Sequence, residues 1–191
     1  MQIILASQSP RRRELLSRFG LPFAVQATQA DETMGPGKDP ASEVARVSRL
    51  KARGAVRREE DLVIAADTIV VCDGRILGKP HSPEEAEEML FLLSGRAHQV
   101  MTGVTLLRGD KEESFTEITQ VYFRELSQKE IADYVRSGEP MDKAGAYAIQ
   151  GGAGLFVEKI EGDYFNVMGL PVCRLWQRLR IFAPECMEEG T

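Results

Sequence analysis

The stretch LVIAADTIVVCDGRILGKP, residues 62–80, sets the tightest limit on the fold. It reads as two strands joined at Asp73-Gly74, a pair suited to the positive φ angles of a two-residue hairpin turn. His98–Arg108 and Ser114–Glu125 read as a second pair of strands, and LFVEKI with DYFNVMG as a hairpin around Glu161-Gly162. A sheet with several hairpins is antiparallel in part, which excludes a purely parallel, doubly wound architecture. Helices are expected between the strands. One covers residues 10–19, and one runs from Pro40 to about residue 58 with Val44, Val47 and Leu50 on one face. Ser82-Pro83-Glu84-Glu85 and Ser127 to Glu130 read as capping boxes that open two more. A last helix runs from Pro171 to about Phe182. The expectation is a mixed α/β chain.

Composition narrows the function. With 191 residues and 43% hydrophobic content, the chain can bury one sizeable core with room for a smaller lobe. A net charge of −5 supplies no basic field, so no nucleic acid partner is expected and any anion site must be built locally. Cys72, Cys173 and Cys186 are widely spaced and show no metal-binding pattern, which favours a reduced, cytoplasmic setting. No apolar run approaches the length of a membrane span, so no membrane partner is expected.

The start, IILASQSPRRRELLSRFG, reads as strand, loop and helix, with Ser9 as N-cap and Pro10 at the first helical position. Arg11, Arg12 and Arg13 then crowd the positive end of the helix dipole, where a cation opposes stability. A bound anion would remove that repulsion, and the hydroxyls of Ser7 and Ser9 are placed to donate to the same oxygens. The alternative is that the arginines are solvated and tolerated. There is no P-loop sequence.

Asp67 is a carboxylate inside an apolar run, expensive there unless paired, metal-bound or functional. Strand alternation puts it on the face of Val63, Ala65, Ile69 and Val71, with Thr68 on the other. A structural Asp bonded to backbone or arginine is the competing reading. Lys79 in Gly78-Lys79-Pro80 and Lys51 on the second helix are candidate phosphate ligands, though most lysines of this kind are only solvated. Asp31 and Glu32 offer loop oxygens to a divalent metal, though loop carboxylates are more often only solvated. In EPMDKAGAYAIQGGAG, Gln150 presents an amide able to read a base edge, unless its glycines serve turns alone. A local anion site, a strand carboxylate and a base-reading amide together suggest a nucleotide with several phosphates.

LASQSPRRRELL, AADT, LGKP, SGRAHQVMTGV, EPMDKAGAYAIQG and GDYFNVMGLP occur in that order. Together they resemble the Maf family of nucleoside triphosphate pyrophosphatases, once described as septum-formation proteins. The resemblance covers Ile3 to about Phe182. It implies an α/β fold with an elongated mixed sheet and flanking helices, two lobes around a cleft, akin to inosine triphosphate pyrophosphatase. The whole of residues 1–191 would be one such domain. It also implies a homodimer and a divalent metal, Mg²⁺ or Mn²⁺. DKAGAY followed by IQG resembles the subgroup acting on dTTP and UTP, with modified pyrimidine triphosphates as a further class. By that resemblance Asp67 is the proton acceptor, and Arg11, Thr68 and Gln150 are tied to substrate choice. Arg12, Glu32, Lys51 and Lys79 hold phosphate or metal, with Asp67 and Glu32 as metal ligands. Ala66 and Ala148 stand where glycine is familiar in the family. The alternative is a nucleotide-binding regulator of septum formation that does not turn its ligand over.

Overall fold

The computed structural model describes residues 1–31, 33–34 and 38–187. Its strands are β1 (Ile3–Ala6), β2 (Phe23–Gln26), β3 (Leu62–Cys72), β4 (Arg75–Leu77), β5 (Ala97–Arg108), β6 (Lys111–Phe123) and β7 (Val157–Glu161). They form one mixed sheet in the order β2-β1-β3-β5-β6-β7, with β4 beside β3. β1 pairs in parallel with β2 and with β3, whereas β3–β4 and β6–β7 are antiparallel. The helices are α1 (Pro10–Ser17), α2 (Pro40–Arg53), α3 (Pro83–Leu93), α4 (Gln128–Arg136), α5 (Tyr164–Met168) and α6 (Val172–Phe182). The mixed α/β sheet with helices is the class expected from the hairpins.

The turn at Asp73-Gly74 has φ of 48° and 75° at its two central residues, the mirror-image turn that such a pair favours. Around Ser127 both halves of the capping box form: its hydroxyl receives the Glu130 N–H while the Glu130 carboxylate receives its own N–H. At Ser82 only half forms. Its hydroxyl accepts from Glu85 N–H at 3.2 Å, but the Glu85 carboxylate turns to the N–H of His81 at 2.7 Å. α2 ends at Arg53 rather than near residue 58: after the Gly54 N–H bond to the Leu50 carbonyl at 3.0 Å, the Ala55 N–H turns to the Ala52 carbonyl at 3.3 Å, a tighter closing turn.

DYFNVMG is not the second strand of a hairpin. Residues Tyr164–Met168 are helical. Asp163 starts the turn by accepting from Phe165 N–H at 2.8 Å, and Asn166 is fully buried, donating to the Val100 carbonyl at 3.1 Å and to Thr119 Oγ1 at 3.0 Å. A strand would turn successive side chains to opposite faces and lose this placement.

The chain divides into two compact units. The first comprises Met1–Asp67, Thr102–Glu117 and Gly169–Thr191. Its core joins Ile4 and Ala6 of β1, Ala52 of α2, Val63 and Ala65 of β3, and Leu107 of β5. α2 lies unusually close to β5. A Cβ on Gly103 would stand 2.5 Å from the Val44 carbonyl oxygen, so only glycine fits there. A hydroxyl chain, Ser48 to Thr105 at 2.7 Å and Thr105 to Ser114 at 2.8 Å, fixes the same contact.

The second unit comprises Thr68–Met101 and Ile118–Met168. Its core includes Val70, Leu90, Leu93, Val121, Phe123, Ile131, Tyr147 and Phe156. His98 is buried there, 2.8 Å from the Tyr147 hydroxyl and edge-on to the rings of Phe123 and Tyr147. Burial in that apolar setting lowers its pKa from 6.5 to about 4. The unfolded chain therefore takes up a proton near pH 6.5 that the folded chain refuses until about pH 4. Stability is full above the first value and falls as pH drops through that window, by about 3 kcal/mol in all. Urea unfolding between pH 7 and pH 4 should show this slope, and His98→Gln should flatten it. An unchanged slope in the variant would assign the effect to carboxylates instead.

Candidate active site

The first unit holds Ser7, Ser9, Arg11, Arg12, Lys51 and Asp67, and the second holds Thr68, Lys79 and Gln150. Glu32 lies outside the described residues.

Three carboxylates are buried among the described residues: Glu43, Asp61 and Asp67. Their surroundings separate two roles. Asp61 has both oxygens engaged: Oδ1 with Gln2 N–H and Arg58 Nη2, Oδ2 with Arg58 N–H and Nε. The Arg58 guanidinium holds its carboxyl well below the usual range. Glu43 likewise has both oxygens on Arg46, at 3.1 to 3.2 Å. These are structural carboxylates. Asp67 differs. Its Oδ1 accepts from Lys51 Nζ at 2.7 Å, and among the described residues its Oδ2 carries no hydrogen bond.

Lys51 and Asp67 are both 8% exposed, which makes this a nearly dry ion pair. Lys51 projects from α2 and Asp67 from β3, and the packing of helix on strand within this unit brings them together. The lysine thus answers the cost of placing a carboxylate in an apolar strand, while leaving one carboxylate oxygen for a ligand or a water. The sequence suggests Lys51 only as a ligand for phosphate or metal; its partnership with Asp67 spans sixteen positions and leaves no local pattern.

At α1 the helix's own bonds take up part of what its N-terminus could offer an anion. Pro10 has no N–H, the Arg12 N–H is taken by Ser9 Oγ at 3.4 Å, and the Arg13 N–H by the Ser9 carbonyl at 3.2 Å. The helix end therefore has few backbone donors to offer, because its own cap uses them. Side chains remain. Ser7 Oγ accepts from Ser9 N–H at 3.2 Å and from Arg12 Nη1 at 3.4 Å, so its own O–H is left as a donor. Arg12 Nε is anchored on the Gly169 carbonyl at 2.9 Å. Arg13 is exposed. This predicts a double effect for Arg12→Ala. It should lose about 1 kcal/mol of stability with the Gly169 bond, and triphosphate use should fall by more than that bond explains. Arg12→Lys should restore charge but not the anchor. Thermal melts with and without nucleotide separate the two contributions; equal nucleotide stabilisation in wild type and Arg12→Ala would remove Arg12 from the site.

Sequence reading missed Glu43 and Arg46. Arg46 bridges the Glu43 carboxylate and the Thr33 carbonyl, the latter at 2.7 Å, and so ties the segment that carries Asp31 to α2. The three-residue spacing of Glu43 and Arg46 on a helix was the available signal. Asp31 itself is exposed and bonded to the Thr33 N–H at 2.9 Å.

In the second unit Thr68 is half-buried, and Lys79 and Gln150 are exposed. The Gly145 N–H donates to the Gly78 carbonyl at 2.9 Å, which joins the LGKP stretch to the DKAGAY stretch. Gln150 sits third in a turn closed by the Gly151 N–H on the Ala148 carbonyl at 3.0 Å. Its amide has no hydrogen bond among the described residues.

No three His, Cys, Asp or Glu side chains converge on a metal position among the described residues. Mg²⁺ commonly uses one or two carboxylates and completes its shell with ligand phosphates and water. Asp67, with Oδ2 unbonded, fits that kind of shared site. Among the same residues, no helix is long and apolar enough to cross a membrane.

Comparison with known proteins places these residues in context. The family model described as Maf-like protein matches residues 2–182. The chain is 53% identical over 182 residues to the dTTP/UTP pyrophosphatase of Symbiobacterium thermophilum, covering 95% of this chain and 94% of that one. It is 48% identical over 182 residues to the dTTP/UTP pyrophosphatase of Bacillus cereus strain AH820, covering 95% of each. Among solved structures it is similar to the Ham1 protein of Staphylococcus aureus, with a TM-score of 0.46 and 18% identity over 82% of this chain and 91% of that one. That looser likeness bears no weight on function.

Proposed function

We propose an activity on one premise: the chain belongs to the Maf-like protein family. It is a nucleoside triphosphate pyrophosphatase that hydrolyses dTTP and UTP. One water is consumed, the anhydride between the α- and β-phosphates breaks, and a nucleoside monophosphate and pyrophosphate leave. The observation that carries the reading is the Asp67–Lys51 pair, with one carboxylate oxygen unbonded, in a chain 53% identical to a dTTP/UTP pyrophosphatase. A regulator that only binds nucleotide has no need of such a carboxylate.

In this reading Asp67 Oδ2 takes the proton from the attacking water. Lys51 holds Oδ1 and so orients the carboxylate toward its work. Arg11, Arg12 and Lys79 stabilise the negative charge that moves onto the leaving pyrophosphate, and Ser7 donates its hydroxyl to a phosphate oxygen. In the alternative role for Asp67, its carboxylate and the triphosphate would hold a divalent ion, with Glu32 as second ligand; Mg²⁺ or Mn²⁺ would neutralise phosphate charge and polarise the phosphoryl group. Thr68 and Gln150 contact the nucleoside. An amide offers one acceptor and two donors, which suits the O4/N3–H edge of uracil or thymine. A homodimer is part of the same proposal, and sedimentation of the purified chain tests it.

The test is pyrophosphate release from TTP, UTP, dUTP, GTP and 7-methyl-GTP with each metal ion. Pyrimidine triphosphates with a 4-oxo group should be preferred. Release of orthophosphate in place of pyrophosphate would overturn the reaction, and a preference for 7-methyl-GTP would overturn the substrate class. Gln150→Ala should lower kcat/KM for UTP and TTP by an amount equal to about 1–3 kcal/mol and touch GTP much less, because the base edge is left unpaired.

A further inference from the structure

We infer that Tyr134 and Glu139 are positioning residues for Gln150, holding from both sides the turn that presents its amide. This rests on the reading of Gln150 as the base contact. Tyr134, on α4, is buried at 7% exposure, with its ring edge-on to Phe156 at 5.2 Å. Its hydroxyl accepts the Ala148 N–H at 3.2 Å and donates to Glu139 Oε1 at 2.9 Å. The Glu139 carboxylate in turn accepts the Gly152 N–H, at 3.1 Å through Oε1 and 3.2 Å through Oε2. A continuous chain of hydrogen bonds thus runs from the residue two before Gln150 to the residue two after it. The turn bond from Gly151 to Ala148 closes the same segment from within.

The sequence makes room for this device at a specific place. A Cβ on Gly151 would stand 2.1 Å from Glu139 Oε1, so the carboxylate can lie against the turn only because residue 151 is glycine. The Tyr134 hydroxyl is correspondingly reluctant to ionise: burial and the bond to Glu139 both push its pKa up, which keeps it a donor. Against this held backbone, the Gln150 side chain is exposed and its amide unengaged among the described residues. A clamp on the backbone around a single unengaged polar side chain removes the ordering cost that a flexible reader would bear at each binding event. Small misplacements of a contact group lower rates steeply, so the clamp acts on substrate choice without touching substrate.

Tyr134→Phe removes the hydroxyl and keeps the ring. It should raise KM for UTP and TTP by about 3- to 10-fold, since the two lost bonds act only through the single contact that Gln150 makes, with a much smaller change in kcat and in GTP use. Placed on Gln150→Ala, it should add nothing to the loss for UTP, because both changes remove one contact. Amide exchange at Ala148 and Gly152 should speed up in Tyr134→Phe, a readout independent of turnover. Glu139→Gln keeps one acceptor oxygen and should give the same pattern at smaller size, which covers the case in which Tyr134→Phe fails to fold. Equal losses for UTP and GTP, or a full additional loss on the Gln150→Ala background, would overturn the positioning role and leave Gln150 as reader intact. If Gln150→Ala itself leaves the preference for UTP over GTP unchanged, the reading of Gln150 fails, and the inference fails with it.

Discussion

Asp67→Asn is expected to lower kcat for pyrophosphate release by about 10²–10⁴-fold, the usual loss when a general base is removed. The amide keeps the shape and still offers an oxygen to Lys51 Nζ, which stands 2.7 Å from Oδ1 in the native chain. What it loses is the basicity of Oδ2, the oxygen that carries no hydrogen bond among the described residues. KM should change far less than kcat, because the interaction removed belongs to the transition state. Some stability will also be lost, since Lys51 keeps a charge at 8% exposure without its counter-ion. Activity is therefore compared well below the melting temperature of both proteins, with circular dichroism confirming the folded state. Turnover near the native level would make Asp67 a structural residue like Asp61, and the mechanism would fall.

Lys51→Met addresses the other half of the pair and should be the most destabilising single change at this site. Methionine fills a similar volume but leaves the Asp67 carboxylate buried and unpaired. Removing one partner of a buried ion pair costs about 3–5 kcal/mol, and both groups here are buried. The double variant Lys51→Met with Asp67→Asn should recover much of that loss, because a neutral pair has no charge to desolvate. Catalysis should not recover with it. Urea unfolding of the two single variants and the double variant measures the coupling, and pyrophosphate release on the same samples measures the chemistry. Additive stability losses would show that the 2.7 Å contact contributes nothing, and Lys51 would then be assigned to the substrate phosphates alone.

How much of this was legible beforehand depends on the distance along the chain between interacting groups. The hairpin at Asp73-Gly74 and the capping box at Ser127 and Glu130 involve neighbours or residues three apart, and their chemistry is complete in the local sequence. Asp67 stood out for the same reason, since a charge in an apolar strand is visible without knowing its partner. The helix N-terminus before Arg11 was visible too, but not that its own cap would use its N–H groups.

Only the tertiary structure decided the rest. DYFNVMG alternates well enough to pass for a strand, and it is helical because Asn166 finds buried partners in Val100 and Thr119, far off in sequence. Lys51 meets Asp67 because α2 and β3 pack together across sixteen positions of chain, a contact that no periodicity encodes. Gln150 is held by Tyr134 on α4 and by Glu139 just beyond that helix, with Gly151 as the one trace left in the sequence. Turns and caps are set by bonds within a few residues, so the sequence alone determined them. Whether a carboxylate is paired or a loop is clamped depends on which backbones approach each other, and packing of the whole chain settles that.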